Sequence, residues 1–162
     1  MNMKLLPFFA ALALAAPVAA QDQAAKPDPT KTMAWHSAQQ AYLSGLKTAD
    51  GWYWAEGGVR WRYLDYKAAQ EKPAVTDVVT VHYEGKLIDG TVFDSSYERG
   101  EPAKFPLNRL VKGWQLAIPQ MGVGETIEIA IPADQAYGPV GRGPIPGNAT
   151  LVFKVELIGI GE

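Results

Sequence analysis

The side chains that could carry out chemistry in this chain are few. Among 162 residues there is no Cys and only two His, His36 and His82. Disulfides, thiolate metal sites and cysteine nucleophiles are therefore excluded. His82 sits in a strand-like run with no second His near it in sequence, and His36 falls on the polar side of a helical pattern, so neither belongs to a metal-ligand pair. The only serines are Ser37, Ser44, Ser95 and Ser96, none in a Gly-x-Ser-x-Gly elbow. Gly122-Val123-Gly124 lacks the third glycine of a dinucleotide loop and precedes a strand rather than a helix. Asn148-Ala149-Thr150 matches a glycosylation sequon, but it also reads as a turn. What remains is a density of aromatic and small residues at loop-strand junctions: Tyr83, Phe93-Asp94, Phe105, Trp114, Ala136-Tyr137-Gly138, Ile145 and Phe153.

The elements that must position these residues can be read from periodicity. Val79, Val81 and Tyr83 alternate with polar residues up to Asp89-Gly90, a two-residue hairpin signal, and Val92-Phe93 returns as the partner strand. Residues 110–118, between Pro106 and Pro119, give the only helix of this half. Ile127, Ile129 and Ile131 alternate until Pro132, and Leu151, Phe153, Val155 and Leu157 alternate to the C-terminus. Upstream, Trp35, Ala38, Tyr42 and Leu46 lie on one face of a short helix that Thr30 or Thr32 could cap. Val59, Trp61 and Tyr63 alternate with Arg60 and Arg62 as a strand with one covered face. The fold class is α+β: an antiparallel, twisted β-sheet around one short helix, with a short N-terminal helical extension.

Composition and the N-terminus set the context. A content of 48% hydrophobic and 20% charged residues is that of a folded chain, and a net charge of −2 gives no electrostatic reason to expect nucleic acid as a partner. Residues 1–20 carry Lys4, an apolar run and Val18-Ala19-Ala20, the pattern of a cleaved signal peptide, and the run is too short for a comfortable membrane span. Its removal leaves 14 cations against 17 acids. The chain is then periplasmic or secreted, without stable membrane anchoring. Residues 21–31 read as a flexible leader, with order beginning near Thr32, and residues 32–57 as a helix plus aromatic extension. Residues 58–162 form the main domain.

Six pieces, in order, give that domain a family likeness: Val81-His82-Tyr83-Glu84-Gly85, the run from Asp89 to Ser96, Val111-Lys112-Gly113-Trp114, the run from Gln120 to Glu125, Ala136-Tyr137-Gly138, and the run from Ala149 to Phe153. Together residues 79–158 resemble an FKBP-type peptidyl-prolyl cis-trans isomerase. The resemblance implies an enzyme that needs neither cofactor nor metal. It rotates X–Pro amides by taking them out of water in an aromatic pocket, because the planar amide carries more charge separation than the twisted one. Proline-containing polypeptides are the implied substrates and macrolides the implied inhibitors.

Residue by residue, the resemblance implies Trp114 as the floor of the pocket and Tyr83, Phe93 and Phe153 as its walls, with Phe105 close by. Leu110 and Val111 would lie at the rim, and Ala136 beside Tyr137. The Tyr137 hydroxyl and the Ile145 backbone N–H would be donors to substrate carbonyls. Asp94 would lie inside, held by the Tyr83 hydroxyl and by Arg99. Three departures bear on specificity. Ala103 stands where the smallest family members have a further aromatic, residues 107–110 are shorter than in those members, and the loop of residues 138–146 is one residue shorter. The rival reading is a holdase chaperone or interaction protein with a weak or idle pocket. Its support is the eight aromatics between Trp35 and Tyr66, and the resemblance also implies a homodimer through the short N-terminal helical extension.

Overall fold

Each alternating run becomes a strand because it has one apolar face to bury. The computed structural model describes residues 28–161, so the signal-peptide pattern of residues 1–20 and residues 21–27 of the leader lie outside the described residues. The strands are β1 (Tyr53–Trp54), β2 (Arg60–Asp65), β3 (Val78–Leu87), β4 (Val92–Ser95), β5 (Ala103–Pro106), β6 (Thr126–Ile131) and β7 (Leu151–Ile160), and the α-helices are α1 (Met33–Gly45), α2 (Ser96–Arg99) and α3 (Lys112–Ala117). The strands form one antiparallel sheet in the order β1-β2-β6-β7-β3-β4. The free side of β3 is shared, with β5 pairing its first half and β4 its second.

Helix α3 lies on the inner face. Trp114, Ala117 and Ile118 join Val79, Val81, Ile127, Ile129, Ile131, Val155 and Leu157 in the main core. Gly113 makes the close approach feasible, since a Cβ there would stand 2.5 Å from Ile131. The helix is shorter than the pattern of residues 110–118 predicts. The Leu110 N–H closes the turn Leu107–Arg109 onto the Leu107 carbonyl, leaving Leu110 and Val111 extended. Beyond α3 the chain tightens into a 3₁₀ turn, Ile118–Gln120, where Pro119 falls in the first turn and needs no N–H partner. Residues 110–118 are also not the only helix of this half. Helix α2 is a single turn capped by the Ser95 hydroxyl and closed by Gly100.

The outer face of β2 and β6 is covered too, which corrects the one-sided reading of β2. Arg60 is buried, with its guanidinium 3.5 Å from the centroid of the Trp54 ring, and Arg62 stands over Trp52 while pairing with Glu128 at 2.7 Å. Leu43 and Trp52 pack with Ala130 on this side. Of the predicted helical face, Trp35, Tyr42 and Leu46 are half-buried but Ala38 is exposed, and Gln39 and Leu43 take its place inward. Order also begins before Thr32. Asp28 caps a 3₁₀ turn, Pro29–Lys31, and Thr32 then caps α1 through the Trp35 N–H.

Helix α1 is tied to the segment that enters β7. The Trp35 indole donates to the Asn148 carbonyl (3.3 Å), the Asn148 amide donates to the Thr30 carbonyl (3.2 Å), and the Thr150 N–H donates to the buried Gln39 side chain (2.8 Å). Truncating Gln39 leaves a buried N–H without an acceptor, which costs about 1–3 kcal/mol. Gln39→Ala should therefore lower the unfolding free energy by that amount in urea titrations. Gln40→Ala, one residue along on the exposed surface, should change it by less than about 0.5 kcal/mol.

Candidate active site

The site is built outward from β3. In the register of the sheet Gly85 lies opposite both Phe153 of β7 and Asp94 of β4, and Tyr83 lies opposite Val155. Tyr83, Gly85 and Phe153 thus share the inner face above α3. With no side chain at Gly85, Phe93 and Phe153 close over the gap, where a Cβ would stand 2.7 and 2.6 Å from their rings. Phe93 and Phe153 meet edge to face at 5.6 Å. Trp114 meets three rings nearly at right angles, those of Phe153 (5.2 Å), Tyr83 (5.4 Å) and Phe105 (6.2 Å). Edge-to-face contacts each contribute about 0.5–1.5 kcal/mol beyond area burial, so the rings form a stiff box.

The box opens into a cavity of about 630 Å³. Of the residues singled out from sequence, Tyr83, Phe93, Asp94, Phe105, Leu110, Val111, Trp114, Tyr137, Ile145 and Phe153 all line it. Two do not. Arg99 stays outside and acts on Asp94, while Ala136 packs against the core, its N–H closing a turn onto the Ala133 carbonyl. Sequence reasoning missed Arg109, Arg142, Gly143 and Pro144, which complete the rim. Arg109 is placed by the turn Leu107–Arg109 and the other three by how the loop of residues 138–148 folds back, and no local pattern encodes either. Phe105 takes the wall that Ala103 leaves without an aromatic, with its ring 6.0 Å from that of Tyr83.

The donors differ from expectation. The Ile145 N–H is already committed to the Arg142 carbonyl (2.9 Å) in a small reciprocal bridge, so it is not the open donor. The Val111 N–H, at the rim immediately before α3, has no partner among the described residues, and neither does the Tyr137 hydroxyl. At the floor the Trp114 Nε1 is buried without an acceptor. An occupant that brings carbonyl oxygens is favoured where donors stand unpaired in an apolar wall.

Asp94 is clamped. It accepts from the Tyr83 hydroxyl (2.5 Å) and pairs with Arg99, which also donates to the Tyr83 oxygen (2.9 Å). Its side chain is still 43% exposed, so it lies at the cavity edge rather than sealed within. Partial burial pushes its pKa up, but the hydrogen bonds from Tyr83 and Arg99 outweigh that and hold it below the ordinary 3.8. Burial, and then the bond it donates to Asp94, pushes the Tyr83 phenol up from 10.0. Asp94 is the anion and Tyr83 the neutral donor at neutral pH.

An apolar, aromatic-walled cleft on an antiparallel sheet wrapped around one short helix defines an α+β domain with a single-helix core. Comparison with known proteins names the family. The model for the FKBP-type peptidyl-prolyl cis-trans isomerase matches residues 69–158, and the chain belongs to that family. It is 44% identical over 121 residues to the FKBP-type peptidyl-prolyl cis-trans isomerase FkpA of Aeromonas hydrophila, covering 75% of this chain and 45% of that one. It is 48% identical over 120 residues to the FKBP-type 22 kDa peptidyl-prolyl cis-trans isomerase of Escherichia coli, covering 74% and 58%. A crystal structure of a peptidyl-prolyl cis-trans isomerase from Pseudomonas syringae pv. tomato superposes with a TM-score of 0.74 at 33% identity, covering 85% of this chain and 99% of that one. The chain spans about half the length of the curated bacterial relatives it matches.

A carboxyl whose folded pKa lies below its ordinary value contributes stability that is complete above that value and is lost as the pH falls through the folded one. The stability gap between the wild type and Asp94→Asn should therefore be constant from neutral pH down to the ordinary carboxylate range and shrink below it. Urea unfolding of both proteins across acid pH measures this, and a gap that widens on acidification contradicts the clamp.

Proposed function

We propose that the protein is a peptidyl-prolyl cis-trans isomerase that accelerates X–Pro rotation in exported, folding polypeptides. The observation that carries this reading is the cavity floored by Trp114, with aromatic walls and two unpartnered donors at its rim, the Val111 N–H and the Tyr137 hydroxyl. The chemistry asked of the site is modest. An X–Pro amide crosses a barrier of roughly 18–20 kcal/mol, and free peptides take tens to hundreds of seconds to do so. No covalent bond is made or broken. The proline ring rests on Trp114 between Tyr83, Phe93 and Phe153. There the dry wall disfavours the charge-separated planar amide relative to the twisted one. The Val111 N–H and the Tyr137 hydroxyl bind the flanking carbonyls and hold the chain while the amide turns. Asp94 and Arg99, paired with each other, both hold the Tyr83 hydroxyl and so fix that wall of the cavity. A macrolide would compete for the same cavity.

Export to the periplasm or the medium belongs to this proposal and rests on the leader pattern of residues 1–20. Among the described residues no helix is long and apolar enough to cross a membrane. A holdase reading has one observation in its favour, the exposed aromatics Tyr53, Trp54 and Tyr66 beside β2. That surface would also serve a homodimer.

The test is turnover of a short Leu-Pro peptide, with and without a macrolide. The wild type should accelerate isomerisation and the macrolide should suppress it. Tyr137→Phe should lower kcat/KM by about two- to tenfold, the worth of one hydrogen bond. Asp94→Ala should also lower it while the fold persists. A wild-type protein that gives only the uncatalysed rate, yet suppresses aggregation of an unfolded client, would establish the holdase instead.

A further inference from the structure

The chain carries a net charge of −2, yet the charges around its cavity run the other way. Of the three ionised groups that line it, Asp94 is neutralised by Arg99, which leaves Arg109 and Arg142. Neither arginine has a carboxylate partner among the described residues, and both are exposed. Each stands beside one of the open donors. Arg109 ends the turn Leu107–Arg109, two residues before the Val111 N–H. Arg142 is held by the reciprocal backbone bonds to Ile145, with its guanidinium 5.8 Å from the centroid of the Tyr137 ring.

From this arrangement we propose that Arg109 and Arg142 select substrates with an acidic residue within two positions of the proline. The inference rests on the isomerase reading and adds to it a chemical class of substrate. An extended peptide advances about 3.3 Å per residue, so a side chain two positions from a proline seated on Trp114 lies at the cavity mouth. Both arginines line that cavity, and their charges act on such a side chain most strongly at low salt, since the Debye length is only about 8 Å at physiological ionic strength. Neither arginine has a carboxylate to give up, so a peptide carboxylate meets two cations without breaking an internal ion pair. A lysine at the same place meets two like charges. Exposed pairs are weak one at a time, and two acting together amount to a roughly three- to tenfold preference at low salt.

The experiment uses the full chain and three peptides, X-Leu-Pro-Phe-X with X as Glu, Gln or Lys. Exchange NMR gives kcat/KM, and fluorescence anisotropy of the same labelled peptides gives affinity. At about 20 mM salt the order should be Glu, Gln, Lys, with the Glu:Lys ratio roughly three to ten in both readouts. It should approach one at about 0.5 M salt, where screening is strong. In Arg109→Gln/Arg142→Gln the ratio should collapse at low salt, and in Arg109→Lys/Arg142→Lys it should persist. Equal wild-type affinities for the Glu and Lys peptides overturn the proposal, as does a preference that survives the double Gln substitution. Rapid turnover without charge preference leaves the isomerase reading standing and removes only the selection. Charge-ranked binding without turnover does the reverse.

Discussion

The missing side chain at Gly85 is the constraint on which the site depends. Among the described residues β3 is the one strand that pairs with three others, β7 on one side and β4 and β5 on the other. At Gly85 the register brings Phe153 and Phe93 into the space where a Cβ would lie, and a bulge between Gly85 and Lys86 shifts the pairing with β4. Phe153 then reaches Trp114, and Trp114 in turn meets Tyr83 and Phe105 nearly at right angles. A methyl group at this position would push two rings apart and, through them, open the floor. Gly113 plays the matching part below, letting α3 lie against Ile131 so that Trp114 is raised to the right height.

Around this box the charged groups follow a division imposed by desolvation. A lone carboxylate against aromatic walls would be costly, and Asp94 is accordingly kept at the edge, with one phenol and one guanidinium bound to it. The loop of residues 138–148, which carries Arg142 and Ile145, is closed at its neck by the bond from the Asn148 N–H to the Gly138 carbonyl (2.8 Å). Helix α1 grips the same neck through Trp35 and Gln39. The N-terminal segment thus braces the pocket loop from outside the sheet, and β1 continues the sheet itself.

The long alternating strands and the cavity walls could be read from the sequence, because period-two burial leaves a local trace. Val79-Val81-Tyr83, Ile127-Ile129-Ile131 and Leu151-Phe153-Val155-Leu157 all lie on the inner face. What escaped was either too short or too distant. Strand β5 is four residues ending in a proline, and α2 is one turn, so neither fills a periodic window. The buried Gln39 has its partner 111 residues away. The choice of Val111 over Ile145 as the open backbone donor turns on which N–H the loop consumes internally, and residue types do not reveal that. The eight aromatics between Trp35 and Tyr66 now divide. Trp52 and Trp61 are buried, Trp35, Tyr42 and Tyr63 pack at the edges of the two cores, and Tyr53, Trp54 and Tyr66 stay exposed.

The central claim is that X–Pro rotation takes place on Trp114 inside the aromatic box. The most direct measurement is NMR of the isotope-labelled full chain during titration with an X–Pro peptide, with the peptide's own cis–trans exchange followed in the same tube. The predicted result is faster exchange at substoichiometric protein together with shifts of the Trp114 indole N–H and of the Phe93 and Phe153 ring signals. Faster exchange with those signals unmoved, and with shifts at Tyr53, Trp54 and Tyr66 instead, would contradict it.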